Sequence, residues 1–288
     1  MISDITLGQF FPGYSFLHKL DPRTKIITAA LAIVTVFVAN TPVAFFLLAA
    51  ITVALVGASR ISYTVVWRGI KPIVIILALT SALNLFMTVG EGEPLLDWWI
   101  FTVYEEGIYR AVFMTVRVVI LIVATSVLLT YTTSPISLTD GIESLLSPLK
   151  KIGVPVHTFA MMMSIALRFI PTLVEETEKI MNAQKSRGAD FTSGSLVRRA
   201  KALIPLLIPL IISSFNRAEE LATAMECRCY RGDNNRTKLV KLQYKVGDIV
   251  TMLTALLLLG AMIAFAYLVK SGFIAPEGAL WDVLLTRI

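Results

Sequence analysis

The chain has 288 residues, of which 56% are hydrophobic, and its mean hydropathy is +0.75. Soluble domains are about 45–50% apolar, so this composition excludes an ordinary soluble protein. Because lipid cannot satisfy free backbone groups, we predict an all-α polytopic membrane protein. The net charge of +6 is the basic excess that cytoplasmic loops carry, and it does not indicate a nucleic-acid site.

The N-terminal residues 1–21 contain an early acid, Asp4, and lack a basic start followed by an apolar block. They also lack a small-residue cleavage site. We therefore expect no secretory signal, and the first membrane span directs insertion.

Five apolar segments predict about five transmembrane helices. The first two are shorter than the roughly 20 residues of a full crossing, and only residues 40–42 separate them, so a re-entrant hairpin is the alternative. The five segments are 25–39, 43–57, 72–89, 108–131 and 246–269.

The charges of the connecting segments predict the topology, because Lys and Arg concentrate in cytoplasmic loops. Basic residues precede the first span and fill the second connection, where Arg60, Arg68 and Lys71 have no acidic neighbour. The third connection is acidic, has no Lys or Arg, and carries aromatic residues typical of a membrane interface. It is therefore predicted outside, whereas residues 132–244 return to the cytoplasm and the C-terminal tail lies outside.

Three segments follow from this topology: a membrane bundle of about four spans (1–131), a cytoplasmic module of long coupling helices (132–244), and a last span with its tail (245–288). The module holds fifteen of the 26 Lys and Arg residues. It contains a predicted amphipathic helix and two long helices with proline kinks at Pro171, Pro205 and Pro209. These helices are predicted over 137–151, 156–185 and 195–230.

The two long helices repeat one plan: an apolar half, an acidic pair, and an arginine near the end. Their ends are Ser186-Arg187-Gly188 and Cys227-Arg228-Cys229. Cations and glycine are common at helix C-termini, so simple capping is one interpretation. Because guanidinium groups bind carboxylates in a bidentate manner, two such ends also suit docking of a soluble partner, which we favour.

Four other features favour structural roles. Cys227 and Cys229 are expected to be free thiols, because their spacing is unsuited to a disulfide and no further ligand completes a zinc set. Arg117, deep in the fourth span, is expected to pair with a carboxylate or with backbone carbonyls. Asn84 is expected to support helix packing through a hydrogen bond. The run of methionines at 161–163 is interpreted as apolar filler.

Several catalytic motifs do not occur in the sequence: the phosphate-binding G-x-x-x-x-G-K-[ST], H-E-x-x-H and G-x-S-x-G. We therefore predict a non-catalytic chain that binds no cofactor or metal. Any ATP must be used by another polypeptide.

The sequence resembles the transmembrane T subunit of energy-coupling factor importers, which are relatives of ABC transporters. The resemblance covers most of the chain and is carried by Phe11-Pro12-Gly13, by the segment from Ser15 to Lys25, and by the segment from Arg168 to Leu173. It is most specific at the two arginine ends, which in the family usually read Ala-Arg-Gly. Here Cys229 stands where that glycine is expected.

This resemblance implies a scaffold in the bacterial or archaeal cell membrane, with the coupling helices in the cytoplasm. Its implied partners are two ABC-type ATPase subunits, which use the ATP and magnesium, and a separate substrate-binding S subunit for vitamin or metal-ion uptake. The arginine ends would contact the ATPases.

Two alternatives remain. A self-contained secondary transporter or channel would need a carboxylate or polar path inside the membrane, for which Asp248 is the nearest candidate. A lipid-modifying enzyme would use Arg117 and the basic module to bind head groups, but the sequence shows no catalytic set for it.

Overall fold

The computed structural model of the chain describes residues 10–88, 96–98, 101–189, 191, 195–230, 232 and 242–271. The regular secondary structure of the described part is helical apart from one antiparallel hairpin, β1 (Leu96–Trp98) and β2 (Phe101–Val103). The all-α membrane class is confirmed. The helices are α1 (Pro22–Val38), α2 (Pro42–Ser59), α3 (Tyr63–Ile70), α4 (Val74–Met87), α5 (Glu105–Thr125), α6 (Pro135–Leu146), α7 (Val156–Ser186), α8 (Leu196–Cys227) and α9 (Val246–Lys270).

Helices α1 and α2 are separate because each has its own N-terminal cap. The Asp21 carboxylate accepts a hydrogen bond from the Arg23 amide at 2.9 Å, and proline occupies the first turn of both helices. The Thr41 hydroxyl accepts one from the Ala44 amide at 3.3 Å. Such caps satisfy amide groups that have no partner within the helix, so the short turn between the two helices is locally stable.

Six described helical segments are long and apolar enough to cross a membrane. Four coincide with predicted spans: Pro42–Ser59, Tyr63–Met87, Gly107–Tyr131 and Val246–Val269. The other two, Val156–Ser186 and Lys201–Cys227, fall within the helices that the sequence assigns to the cytoplasm, and that assignment stays a prediction. Helix α1, with 17 residues, is not among the six.

The helix that contains the third predicted span begins before that span. The helical segment begins at Tyr63 instead of residue 72, so Arg68 is helical and Lys71 lies in a 3-10 turn, and neither occupies a loop. The prediction placed the boundary at Pro72. Proline is tolerated there because Lys71–Ile73 forms this single 3-10 turn, and the chain then continues directly into α4.

The described residues divide into two compact units. The long-helix unit comprises those of 142–241, and the bundle unit comprises those of 9–141 and 242–288. The boundaries predicted at 131/132 and 244/245 stay predictions. In the bundle unit, α5 packs against α1, α2 and α4, while α1 packs along α9.

Arg117 has the structural role expected of it. Its guanidinium donates a hydrogen bond to the Ala39 carbonyl at 2.9 Å and lies 5.1 Å from the centre of the Phe45 ring. A cation at the C-terminal end of α1 also interacts favourably with the helix dipole. Asn84 differs from its prediction, because its amide donates to the Thr80 carbonyl of the same helix at 2.8 Å.

Candidate functional site: two arginine helix ends

Helix α7 ends in a Schellman turn centred on Arg187. The Gly188 amide donates to the Lys185 carbonyl at 2.9 Å, and the Ala189 amide donates to the Gln184 carbonyl at 3.0 Å. Gly188 has a φ of +87°, the left-handed conformation that this motif requires after the helix cap. Arg187 is therefore the C-cap residue of α7, and its side chain is exposed.

Helix α8 ends in the same turn, centred on Arg228. The Cys229 amide donates to the Glu226 carbonyl at 2.8 Å, and the Tyr230 amide donates to the Met225 carbonyl at 3.0 Å. Cys229 takes the left-handed position with a φ of +56°. The cysteine that replaces the expected glycine therefore leaves the backbone turn intact, and the two ends have the same pair of hydrogen bonds.

We predict that Cys229→Gly raises the local stability of this turn by about 0.5–1 kcal/mol. The left-handed conformation costs an L-residue about 1–2 kcal/mol, and glycine loses part of that gain through its larger backbone entropy. The same principles predict that Gly188→Ala lowers the stability of the α7 end by a similar amount. A Cβ atom on Gly188 would meet no atom of the described residues within 4 Å, so the effect there comes from the backbone.

Hydrogen exchange of the amides at the two helix ends measures both changes. Protection should rise about 2–5-fold at the α8 end in Cys229→Gly and fall by a similar factor at the α7 end in Gly188→Ala. The prediction requires that protection change in opposite directions in the two variants. Equal protection in all three proteins would show that these positive-φ positions carry no strain.

The two helices of this unit run in opposite directions. Glu176 of α7 forms an ion pair with Arg217 of α8 at 3.2 Å, whereas the Tyr230 hydroxyl, just beyond α8, donates to the sulfur of Met161 near the start of α7, also at 3.2 Å. Rising residue numbers on one helix thus meet falling numbers on the other. The two arginine ends consequently point to opposite ends of the helix pair.

The ion pair lies midway between the two ends. Arg187 is eleven residues beyond Glu176, and Arg228 is eleven residues beyond Arg217. At 1.5 Å per helical residue, each arginine lies about 16 Å past the ion pair, so the two are separated by roughly 30 Å along the helices. They therefore form two matched sites rather than one composite site.

All six predicted site residues are exposed: Ser186, Arg187, Gly188, Cys227, Arg228 and Cys229. Within the described residues neither Arg187 nor Arg228 has a side-chain hydrogen bond or ion pair. Both cysteines are free, as expected. An exposed guanidinium on a rigid helix end retains its full hydrogen-bonding capacity for an external carboxylate.

Sequence reasoning missed two sets of contacts. The Glu176–Arg217 pair joins residues 41 positions apart, and the Asp21 amide donates to the Asp248 carboxylate across 227 positions at 2.7 Å. No local pattern indicates such pairs. The segment from Ser15 to Lys25 was a family signature only, and its contacts show that it also has a structural role.

The comparisons with known proteins agree with this architecture. Residues 13–239 match the family model CbiQ, described as a cobalt transport protein. A transmembrane protein of an energy-coupling factor transporter, EcfT, from Clostridium kluyveri is 53% identical over 258 residues, covering 90% of this chain and 95% of the relative.

Two further relatives carry the same name. The protein from Acidaminococcus fermentans is 52% identical, with 93% of this chain and 98% of the relative covered. The protein from Bacillus subtilis is 47% identical, with 92% and 99% covered. The chain therefore belongs to the CbiQ family, as the transmembrane T subunit of an energy-coupling factor transporter.

Proposed function

We propose that this chain couples two ABC-type ATPase subunits to a separate substrate-binding S subunit for vitamin or metal-ion uptake. The observation that carries the proposal is the pair of exposed arginines, Arg187 and Arg228, at two helix ends with the same turn, each without a side-chain partner among the described residues. One site serves each ATPase subunit. ATP and magnesium bind to the ATPases, and this chain binds no cofactor of its own.

The separation of the sites supports a pair of partners. Each arginine presents a planar fork that binds a carboxylate through two parallel hydrogen bonds. Sites roughly 30 Å apart and facing opposite ways suit two separate protein subunits better than one small ligand.

The packing of α7 on α8 supports transmission of movement between them. Helix α7 packs on α8, residues such as Phe169, Leu173 and Leu221 line an apolar pocket between them, and the Glu176–Arg217 ion pair adds a polar contact. Closure of an ATPase pair would displace the two ends relative to each other. Packed helices accommodate such displacement by shear about their contact.

An exposed apolar stripe on α8 supports contact with a membrane partner. Its residues recur at helical spacing on one face: Leu203, Ile204, Leu207, Ile208, Ile211, Ile212 and Phe215. A contiguous apolar surface of this kind is typical of a protein or lipid interface. The S subunit, itself a membrane protein in this proposal, has the matching chemistry.

The structure does not favour the secondary-transporter alternative. The Asp248 carboxylate, its nearest candidate residue, is 1% exposed and accepts two backbone hydrogen bonds. A cavity of about 280 Å³ between α1, α2, α5 and α9 is lined by aliphatic side chains and threonines, without a charged residue. A transported ion or polar solute usually requires charged or polar groups near the centre of the membrane.

Affinity purification of the tagged chain in mild detergent tests the proposal. The wild type should retain ABC-type ATPases and a small membrane protein, both identified by mass spectrometry. Arg187→Glu combined with Arg228→Glu should lose the ATPases, because a repelled acidic partner costs several kcal/mol at a buried contact.

Arg60→Glu is the matched control. Arg60 is an exposed arginine at the end of α2, also in the left-handed conformation with a φ of +56°, and belongs to the bundle unit. This variant should retain the ATPases. Retention of the ATPases by the double variant would overturn the docking role, and uptake by the purified chain without ATPases would establish the secondary transporter.

A further inference from the structure

We infer that residues 10–25, here called the N-terminal clasp, hold together two stretches of the bundle unit: the one that follows α5 and the one that leads into α9, between which the chain passes through the long-helix unit. This inference deepens the proposed function and rests on it. The clasp provides the fixed anchor from which the intervening helices move. Its key groups, the Lys25 ammonium and the Asp21 amide, position other elements.

The clasp binds the stretch that follows α5 through backbone and side-chain contacts. The Phe11 amide donates to the Tyr131 carbonyl at 3.1 Å, and the two rings meet edge-on with centroids 6.0 Å apart. The Lys25 ammonium donates to the Thr132 carbonyl at 2.8 Å. These contacts fix residues 131 and 132, at the end of the helical segment of the fourth span.

The clasp also binds the stretch that leads into α9. The Asp21 amide donates to one oxygen of the Asp248 carboxylate at 2.7 Å, and the Lys245 amide donates to the other at 2.8 Å. The Arg23 guanidinium lies over the Tyr244 ring, 5.3 Å from its centre. The clasp therefore contacts both stretches of the bundle unit within fifteen of its own residues.

The clasp is braced internally by His18. Its Nε2 donates to the Phe11 carbonyl at 2.9 Å, so that Nδ1 is available to accept from the Ser15 hydroxyl at 2.6 Å. Gly13 lies against this ring, because a Cβ atom there would come within 2.9 Å of His18 Cε1. The histidine thus closes a loop whose shape requires glycine.

The two stretches share one set of buried charges. Lys25, Asp21 and Asp248 are 3%, 6% and 1% exposed. The Lys25 ammonium binds the Thr132 carbonyl and the Lys25 amide donates to the Asp21 carbonyl at 3.2 Å, so Lys25 is joined through Asp21 to the Asp248 carboxylate. Buried charges are tolerated only when they are paired and hydrogen-bonded, so loosening one stretch weakens the other.

This arrangement suits an anchor in a coupling protein. Relative movement of packed helices performs work on a partner only if some part of the chain stays fixed. Hydrogen bonds between buried charged groups and backbone atoms impose one geometry, whereas apolar contacts permit sliding.

Hydrogen exchange on the full-length chain in lipid nanodiscs, together with any subunits that co-purify, tests the inference. In Lys25→Met the amides of 128–133 should exchange about tenfold faster, as expected for a lost buried hydrogen bond. The amides of 245–250 should also exchange faster, although Lys25 has no direct hydrogen bond to that segment. A change confined to 128–133 would overturn the clasp.

The exposed Lys71→Met is the matched control and should leave both segments unchanged. If Lys25→Met does not accumulate, Gly13→Ala displaces His18 without removing a charge and should loosen the same two segments. In whichever of these two variants is used, Lys25→Met or Gly13→Ala, ATP-driven uptake should fall at least about tenfold while the ATPases still co-purify. Unchanged uptake with both segments loosened would overturn the anchor role.

The two proposals fail separately. A wild-type chain that retains no ATPase would overturn the proposed function, but the exchange comparison needs no partner and still decides whether the clasp joins the two stretches. Conversely, a clasp variant with changes in one segment only would leave the docking of ATPases untouched.

Discussion

Asp248→Ala is expected to lower the free energy of unfolding by about 3–5 kcal/mol, the cost of removing one partner from a buried charged network. The carboxylate is 1% exposed and accepts the amides of Asp21 and Lys245. Its loss leaves both amides unpaired and removes a negative charge that compensates Lys25.

Thermal unfolding of the detergent-solubilised chain measures this effect. A loss of about 3–5 kcal/mol corresponds to a fall in melting temperature of roughly 6–20 °C for a chain of this size. Asp248→Asn should have a smaller effect, about 1–3 kcal/mol. The asparagine side chain keeps one acceptor oxygen, so one of the two backbone amides that bind Asp248 is left unpaired.

Glu105→Ala provides the control, since this carboxylate begins α5 and is exposed. Its removal should change the melting temperature by no more than about 2 °C, as surface substitutions usually stay within about 0.5 kcal/mol. Equal melting temperatures for Asp248→Ala and Glu105→Ala would contradict the structural role of Asp248.

Local patterns predicted the helices well. Length and hydropathy located four of the spans, and caps and prolines bounded the long helices to within a few residues of α7 and α8. The helical segment of the third span begins at Tyr63, before the predicted Pro72, because Lys71–Ile73 forms a 3-10 turn that allows the helix to continue. The hairpin of β1 and β2 gave no signal, since each strand has only three residues.

The sequence predicted which residues form the candidate site, but it did not predict their backbone conformation or the relative direction of the two helices. The repeated arginine ends were visible in the sequence, and the left-handed turn at Cys229 was not, because propensity disfavours that conformation for cysteine. The antiparallel pairing of α7 and α8 depends on long-range contacts such as Glu176–Arg217. No local spacing encodes the direction of one helix relative to another.

The clasp shows the same limit for function. Its residues appear in the sequence as a family signature, and Asp248 appears as an isolated acid near a span. Only the fold brings the Asp21 amide to the Asp248 carboxylate, 227 positions away. A buried charge in a membrane protein is often interpreted as a transport site, yet here its hydrogen bonds show a structural role.

Reversal of a single arginine is expected to lower the affinity for the ATPase pair by about 10²–10⁴-fold, whichever helix end is changed. If the ATPases bind as a pair, the two sites act together, and simultaneous binding exceeds either single affinity by that factor. Arg187 and Arg228 occupy identical turns at equal distances from the Glu176–Arg217 ion pair. Arg187→Glu and Arg228→Glu should therefore have similar effects.

Binding of the purified ATPases to the chain in nanodiscs, measured without nucleotide, gives these affinities. Arg187→Lys and Arg228→Lys serve as matched variants that keep the charge and lose the bidentate fork, and each should fall between wild type and the reversal. The Arg187→Glu, Arg228→Glu double variant should bind at background level. Wild-type affinity in one single reversal would show that only the other end docks, because sites roughly 30 Å apart do not compensate for each other.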